Sequence, residues 1–234
     1  MVKENTFRFR EFEVRQNDSV HKVGTDGVLI GAWAITDPAD EYIMDIGTGT
    51  GLIAMMLARR SAAIIHAIEP DAAAFEVAKK NISVSPDAER IKIFQSSLQN
   101  FETDIRFDRI VSNPPFFHNR LHPPDHARKM QRHTETLSFS DLALHVAQHL
   151  KSSGSFSVIL PVEESRVATH ALSKHGLFES RVTYVRSRPG KPVIRHLIEF
   201  TRIAGEIRTN QLTLHTETGE KSMDYDNLTR DFYL

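Results

Sequence analysis

The chain has 234 residues, of which 40% are hydrophobic and 25% are charged, a composition typical of a water-soluble protein able to fill one α/β core. The absence of cysteine excludes disulfides, thiolate metal sites and thiol catalysis, and the formal net charge of -1 means that a phosphate-rich partner would need a local basic patch. No apolar run reaches the roughly 18–20 residues of a membrane span, and the polar start of the chain does not predict a secretory signal.

The first elements combine aromatic alternation with a short apolar helix. Phe7 and Phe9 occupy odd positions, whereas Phe12 and Val14 occupy even ones. A change of parity predicts either two short strands or one bulged strand. A turn-rich stretch then leads into residues 28–34, which have apolar residues at helical spacing, and Asp26, placed before them, is the predicted N-cap.

From residue 42 onward, short apolar runs alternate with segments of helical periodicity. The predicted strands are 42–44, 64–68, 91–94, 109–112 and 155–160, followed by two strands at 177–186 and 195–203 that a Gly/Pro turn joins. The first intervening helix is 52–60, and the next three are predicted to begin at Asp71, Ser140 and Pro161. Strands separated by helices predict a parallel sheet covered on both faces, and without a repeat or linker the whole of 1–234 is predicted to be one domain.

Three glycines, Gly47, Gly49 and Gly51, directly follow the first strand of this alternating block. In such folds, ligands bind beyond the carboxyl ends of the strands, and glycine lets the backbone approach a ligand closely. The spacing G-x-G-x-G differs from the G-x-G-x-x-G of a dinucleotide site. Asp45 in front of the loop would repel a pyrophosphate but would favour a ligand that carries an ammonium group.

Glu69 ends the next strand, where an acidic side chain can accept both hydroxyls of a ribose. The glycine loop, Asp45 and Glu69 together predict a site for an adenosine that carries an amino acid, namely S-adenosyl-L-methionine. A tight turn without a ligand remains the alternative for the glycines taken alone.

The stretch Asn113, Pro114, Pro115 and Phe116 ends the fourth strand. The prolines lack N–H groups, so the Asn113 side-chain oxygen and the Pro114 carbonyl can accept both hydrogens of one –NH₂ group. Phe116 offers an aromatic face for a planar group. These features predict methyl transfer to an amino nitrogen, with positioning and electrostatics as the main sources of catalysis.

Four segments make the chain resemble the bacterial tRNA adenine-N6 methyltransferases, which belong to the class I S-adenosylmethionine-dependent methyltransferases and act on adenosine 37 of valine tRNA. The segments are residues 22–29, 45–51, 112–117 and 228–234. The resemblance implies a Rossmann-like α/β fold, with a mostly parallel seven-stranded sheet and an antiparallel last strand. It also implies a cytoplasmic enzyme, here expected to be monomeric.

By the same resemblance, residues 1–40 form an extension that covers the cofactor site, with Thr25 and Asp26 near the methionine end of the cofactor. Many relatives carry an acidic residue after the third strand to bind the adenine amine, whereas this chain has Ser96, Ser97 and Leu98. Ser97 and Leu98 are therefore the expected contacts to that ring, through a weaker or backbone interaction.

Two basic stretches are candidates for binding RNA phosphates. The first follows the proline corner and the second lies in the last third of the chain, and the residues chosen from them are Arg120, Arg128, Lys129, Arg132, Arg188 and Lys191. Solvated surface charge is the alternative for either stretch. His145 and His149 have the i, i+4 spacing of metal ligands, but with no acidic or thiolate partner nearby in sequence we predict no metal site.

Other functions remain open at this point, because the –NH₂ clamp alone cannot distinguish adenine from a carboxamide. A glutamine methyltransferase acting on release factors would use the same corner, although those enzymes usually carry a helical N-terminal domain. A guanine-N2 rRNA methyltransferase is a further alternative. A nicotinamide-dependent oxidoreductase or a non-catalytic RNA-binding module would leave residues 113–116 without a role.

Overall fold

The structure is a computed structural model that describes residues 5–16, 23–115 and 137–233. It begins with a hairpin of two antiparallel strands, β1 (Asn5–Arg8) and β2 (Glu13–Gln16). Phe9 and Phe12 lie in the connection between them, with their rings stacked 4.8 Å apart. Two separate strands, and not one bulged strand, therefore explain the change of parity in the sequence.

The remaining elements alternate as the sequence predicts, with one strand and one helix in addition. The helices are α1 (Thr25–Trp33), α2 (Leu52–Arg60), α3 (Ala72–Ser83), α4 (Phe139–His149), α5 (Val162–Lys174) and α6 (Met223–Thr229). The strands are β3 (Tyr42–Ile46), β4 (Ile64–Ile68), β5 (Ile91–Phe94), β6 (Phe107–Ser112), β7 (Leu150–Pro161), β8 (Phe178–Arg186), β9 (Val193–Thr201) and β10 (Arg208–Thr213). Two short 3₁₀ turns lie at Ala88–Arg90 and Leu98–Asn100.

The main sheet has the strand order β10-β8-β9-β7-β6-β3-β4-β5. Neighbours are parallel except that β9 runs antiparallel to both β7 and β8. The predicted Rossmann-like, mostly parallel sheet with a reversed strand is thus confirmed. The sheet has eight strands and not the expected seven, because β10 pairs with the outer side of β8 and runs parallel to β8.

Two of the predicted helix N-caps are wrong. The N-cap of α1 is Gly24, so Asp26 lies inside the first turn. The N-cap of α4 is Ser138 and not Ser140, because Ser138 forms a capping box with Asp141 three residues later. The predicted cap Asp71 is confirmed, since its carboxylate accepts a hydrogen bond from the Ala74 N–H at 2.8 Å.

Each face of the sheet is covered by helices and has its own core. One core includes apolar residues of α1, α2 and α3, and the other includes residues of α4 and α5. The aromatic rings Phe107, Phe156 and Phe200 are fully buried in the second core, and each stabilises the fold by about 2–3 kcal/mol through its burial.

The end of the chain packs on the N-terminal hairpin. The Arg10 N–H donates to the Phe232 carbonyl at 2.8 Å, and the Arg10 guanidinium donates to the Tyr233 carbonyl at 2.5 Å. The Tyr233 ring lies 6.0 Å from that of Phe9 and nearly parallel to it. These contacts fix a hairpin that is too short to be stable alone. In the described part of the chain, no helix is long and apolar enough to cross a membrane.

One buried histidine makes stability depend on pH. His66 on β4 is 4% exposed and lies among aromatic rings, with the centroids of Phe94 and Phe107 at 5.1 and 5.5 Å. Neither of its ring nitrogens has a hydrogen-bond partner among the described residues. Burial, and to a lesser degree the charge of Lys92, lowers the pKa of His66 to about 4. The folded protein therefore keeps this imidazole neutral where the unfolded chain would protonate it.

We expect the free energy of unfolding to be highest above pH 6.5, the ordinary pKa of histidine, and to fall as the pH approaches 4. Between pH 7 and pH 4.5, protonation of this histidine in the unfolded chain is expected to lower the free energy of unfolding by about 2 kcal/mol, and His66→Leu is expected to remove that decrease. Urea unfolding followed by circular dichroism at both pH values measures the difference, with the exposed His170→Gln as a control. Parallel pH profiles for His66→Leu and wild type would contradict the assignment.

Candidate active site

The predicted cofactor residues and the proline corner follow the carboxyl ends of four neighbouring strands, β6, β3, β4 and β5. In the register of the sheet, Ile46 on β3 lies opposite Ser112 on β6 and opposite Ile68 on β4. The residues that follow these positions, Gly47, Asn113 and Glu69, are therefore neighbours along one edge. The chain continues from β3 to β4 on one side and reaches β6 on the other, so this edge is the point where strand order reverses and ligands bind.

The glycine loop adopts a backbone that other residues rarely take. Gly47, Gly49 and Gly51 have φ values of 71°, 57° and 85°. A Cβ at Gly47 would meet no atom of the described residues within 4 Å, and one at Gly49 would reach only the Gly47 carbonyl at 4.0 Å. A Cβ at Gly51 would approach Ile82 to 3.3 Å. The first two glycines thus present bare backbone to open space, whereas the third also permits close packing of α3.

Glu69 holds the loop through both oxygens of its carboxylate. Its carboxylate oxygens accept the Gly49 N–H at 2.9 Å and the Asp71 N–H at 3.0 Å. The Gly47 and Thr48 N–H groups both donate to the Ile68 carbonyl, at 2.9 and 3.0 Å. Because each carboxylate oxygen can accept more than one hydrogen bond, a carboxylate at this position is suited to hydroxyl donors as well as to the loop.

Asp45 is fully buried beneath the loop. One of its oxygens accepts the Thr48 hydroxyl at 2.6 Å, while Oδ1 has no partner among the described residues. Burial raises the pKa of Asp45 to about 7 against the opposing effects of the Thr48 hydroxyl and the Ala54 backbone, and the negative charge of Glu69 adds to the rise. A buried acceptor without a donor costs free energy, and a nearby cation would reduce that cost. Thr48 was not predicted as part of the site, although its position three residues after Asp45 in the loop is a usable signal.

Ser97 and Leu98 follow β5 at the same edge. Both Leu98 and the Ser97 hydroxyl are buried, and the Ser97 Oγ has no hydrogen-bond partner within the described ranges. The neighbouring Ser96 hydroxyl donates to the Ser97 carbonyl at 2.9 Å. An apolar side chain beside an unpartnered hydroxyl is suited to a flat ring with polar edges.

The start of α1 lies at the same edge of the sheet, on the side of β7 and β9, and we call it the opposite wall. Thr25 and Asp26 lie in its first turn, and the Asp26 carboxylate accepts a hydrogen bond from the Arg195 Nε at 2.8 Å. Arg195 stands near the beginning of β9, opposite Pro161 at the end of β7. This ion pair ties α1 to the sheet at the edge where the glycine loop lies.

The proline corner is fixed to the central strand. The Ser112 hydroxyl, which is fully buried, donates to the Ile46 carbonyl at 3.0 Å and so joins the ends of β6 and β3. Asn113 is half-buried, Pro114 is buried and Pro115 is exposed. Phe116, the predicted stacking residue, lies outside the described residues.

The basic residues of the last third do not share one surface. Arg188 and Lys191 belong to the β8–β9 turn at the carboxyl edge, where the Lys191 N–H donates to the Arg188 carbonyl at 3.2 Å. The Arg181 guanidinium carbon instead lies 3.6 Å from the centroid of the Trp33 ring, and the same guanidinium forms an ion pair with Glu199. Arg202 donates to the Ala147 and Leu150 carbonyls at the end of α4. The other predicted RNA contacts lie outside the described residues: Arg120, Arg128, Lys129 and Arg132.

His145 and His149 stack with ring centroids 6.4 Å apart. Burial lowers the pKa of His149, whose ring also lies 6.1 Å from that of Phe101. Within the parts of the chain that the structure describes, no three histidine, aspartate or glutamate side chains are grouped so that they could hold a metal ion.

Sequence comparison gives full-length relatives. Residues 27–175 match the family model of the methyltransferase small domain. A tRNA1(Val) (adenine(37)-N6)-methyltransferase of Parabacteroides distasonis is 41% identical over 231 residues, which cover 97% of each chain. The protein of that name from Trichodesmium erythraeum is 40% identical over 236 residues, covering 98% of each chain.

Solved structures share the fold at lower identity. A predicted O-methyltransferase from Agrobacterium tumefaciens superposes with a TM-score of 0.70 at 19% identity, over 88% of this chain and 96% of the other. A glycopeptide N-methyltransferase in complex with S-adenosyl-L-methionine gives a TM-score of 0.54 at 14% identity, over 72% and 90%. The chain therefore belongs to the methyltransferase small domain family and, within it, to the family of the tRNA1(Val) (adenine(37)-N6)-methyltransferases.

Proposed function

We propose that this chain transfers a methyl group from S-adenosyl-L-methionine to the exocyclic N6 amine of adenosine 37 in a valine tRNA. One observation carries the proposal: the glycine loop and the Asn113 corner follow adjacent strands at the reversal of strand order, as the pairing of Ile46 with Ser112 requires. A group bound by the loop would thus lie beside a group held by the corner. The names of the full-length relatives support adenine, and neither glutamine nor guanine has comparable support.

The residues at this edge suit each part of the proposed cofactor. Glu69 has acceptor capacity for the ribose hydroxyls, and the unpartnered buried Asp45 Oδ1 favours a nearby ammonium group. The buried Ser97 hydroxyl and Leu98 suit the adenine ring in the absence of the usual acidic residue. Thr25 and Asp26, on the opposite wall, would lie toward the methionine end. When bound, S-adenosyl-L-methionine supplies a methyl group already activated on a sulfonium.

Asn113 and Pro114 would prepare the acceptor amine. The nitrogen of an exocyclic amine is a poor nucleophile because its lone pair is delocalised into the ring. The Asn113 side-chain oxygen and the Pro114 carbonyl would accept its two hydrogens, which favours a pyramidal nitrogen with its lone pair directed at the methyl group. The buried Ser112–Ile46 hydrogen bond keeps this corner in place, so the acceptors would not have to reorganise during the reaction.

Reaching Asn113 requires the target adenine to leave the stacked anticodon loop. Enzymes that modify bases commonly extrude the target and stack it on an aromatic side chain, and we assign this role to Phe116. Basic residues after the corner, among them Arg128 and Lys129, would hold the surrounding phosphates. Activity on tRNA is consistent with a cytoplasmic enzyme, and a monomer is sufficient for the site as proposed.

Labelled S-adenosyl-L-methionine and unmodified total tRNA test the function directly. After incubation, nucleoside mass spectrometry is expected to identify N6-methyladenosine in the tRNA, and fragment mapping is expected to place it at position 37 of valine tRNA. Label in protein, or in N2-methylguanosine, would reject adenine as the substrate. Isothermal titration with NAD, for which we expect no binding, is the control for the cofactor.

Arg188 and Lys191 provide a separate test of the RNA surface. Because they lie at the same edge as the catalytic corner, we expect Arg188→Glu combined with Lys191→Glu to weaken tRNA binding about 10- to 100-fold and to flatten its salt dependence. The matched control reverses the charges of Lys80 and Lys174 by substitution with glutamate. These lysines lie in the last turns of α3 and α5, at the opposite edge of the sheet. Filter binding at several salt concentrations measures the difference. Equal tRNA affinity in both double variants would remove the β8–β9 turn from the interface.

A further inference from the structure

The N-terminal hairpin touches both walls of the proposed cofactor site through neighbouring residues of β2. Its two strands form a sheet of their own and, within residues 5–16, make no ladder with the main sheet. Besides its contacts with the end of the chain, the hairpin is attached by side-chain hydrogen bonds that involve Arg15 and Gln16 at the end of β2. These attachments reach α3 on one side and Val23, two residues before α1, on the other.

Asn81 on α3 makes the first attachment, and it is 1% exposed. Its Oδ1 accepts the Arg15 N–H at 2.9 Å, and its Nδ2 donates to the Arg15 carbonyl at 2.8 Å. The second hydrogen of the same amide goes to the Thr50 carbonyl at 2.9 Å, within the glycine loop. One buried side chain therefore joins the hairpin to the loop, and its two donors and its acceptor all have partners.

Gln16 makes the second attachment from the adjacent position. Its side chain is buried, and its Oε1 accepts the Val23 N–H at 2.6 Å. Val23 directly precedes Gly24, the N-cap of the helix that carries Thr25 and Asp26. A displacement of β2 would therefore be transmitted to both walls of the site.

The loop itself depends on such external support. Its three glycines at positive φ have no side chains with which to lock their conformation. Toward β4, the Ile68 carbonyl and the Glu69 carboxylate hold its N–H groups. On the side of α3, Asn81 holds the Thr50 carbonyl. Loss of the Asn81 amide would leave that buried carbonyl and both backbone groups of Arg15 without this partner.

We infer that Asn81 is a positioning residue for the cofactor, and that it acts by joining the β1–β2 hairpin to the glycine loop. The inference rests on the proposed cofactor site, and it assigns to α3 and the hairpin a role in cofactor affinity. Asn81 lies beneath the loop in contact with its backbone, so its removal acts on the cofactor through Thr50 and its neighbours.

Asn81→Asp is the most informative variant. It keeps the size of the side chain and its acceptor oxygen, but it replaces the –NH₂ group with a second oxygen that faces the Thr50 and Arg15 carbonyls. We expect the Kd for S-adenosyl-L-methionine to rise about tenfold or more. At saturating cofactor, kcat and the KM for tRNA are expected to stay near the wild-type values. Gln16→Met, which removes the acceptor for Val23, is expected to raise the same Kd, and the exposed Asn210→Asp is the matched control.

Isothermal titration without tRNA, thermal unfolding and steady-state kinetics separate the outcomes. A folded Asn81→Asp protein with the wild-type Kd for the cofactor would overturn the inference. A similar fold-change in all three quantities, with the cofactor Kd and the tRNA KM raised and kcat lowered, would overturn it as well. If Asn81→Asp does not fold, Gln16→Met decides by the same criteria. Absence of S-adenosyl-L-methionine binding by the wild-type protein would instead reject the proposed cofactor site.

Discussion

Asn113→Ala is expected to lower kcat for tRNA methylation about 100- to 1,000-fold while leaving the affinity for S-adenosyl-L-methionine unchanged. The estimate is the usual effect of deleting one preorganised polar contact to a reacting centre. Asn113 follows β6 beside the glycine loop, and the side chain is already half-buried at a corner that the Ser112 hydroxyl fixes to β3. Its loss removes an acceptor that the amine would use during transfer, and no cofactor contact is changed.

Two further variants distinguish an acceptor role from a structural one. Asn113→Asp retains an oxygen for the amine hydrogen and is expected to keep more activity than Asn113→Ala. Asn210→Ala, on the exposed edge strand β10, is expected to behave as wild type. Single-turnover rates at saturating tRNA and cofactor, together with the Kd for each, provide the measurement. An Asn113→Ala enzyme with a wild-type single-turnover rate would show that the corner does not hold the amine.

Patterns in the sequence locate the central elements because those elements are defined by burial. The helix Leu52–Arg60 and the strands Ile64–Ile68 and Ile91–Phe94 have the predicted bounds. They lie between turn residues and have buried apolar side chains at the expected period. The same reasoning placed Asn113, Gly47 and Glu69 at strand ends, and the parallel register then makes them neighbours.

Features that depend on backbone pairing leave little trace in the sequence. The strand β10, with the sequence RTNQLT, has Leu212 as its one buried residue and joins the sheet through backbone hydrogen bonds beside β8. Its polar composition resembles that of a loop. The cap at Ser138 was recognisable, since Asp141 three residues later completes a capping box, whereas Ser140 has alanine at the equivalent position.

Asn81 could not be predicted for a different reason. It lies within a helical pattern, where one more polar residue is unremarkable, and its partners are backbone groups 66 and 31 residues away. Arg181 and Arg202 belong to the second of the two basic stretches of the sequence, and they are misleading in the opposite sense. Their charges suggested a surface for RNA, but their guanidinium groups complete contacts with Trp33, Glu199 and the end of α4. In both cases the three-dimensional neighbours decide the role.

Glu69→Gln is expected to weaken the binding of S-adenosyl-L-methionine about 100-fold, as the loss of charge-assisted hydrogen bonds predicts. The carboxylate accepts the N–H groups of Gly49 and Asp71 through its two oxygens, at 2.9 and 3.0 Å. A glutamine has one oxygen, so its –NH₂ group would face one of these two donors. The variant therefore loses an acceptor for the ribose and disturbs the glycine loop at the same time.

Calorimetric titration with S-adenosyl-L-methionine in the absence of tRNA measures the effect without involving catalysis. Glu76→Gln on the exposed side of α3 makes the same chemical change and is expected to leave the Kd unchanged. Glu69→Asp retains the charge but is shorter by one methylene, so its Kd is expected to lie between those of wild type and Glu69→Gln. A Kd for Glu69→Gln within threefold of wild type would exclude Glu69 as the ribose ligand, because both the charge and one acceptor would then be dispensable.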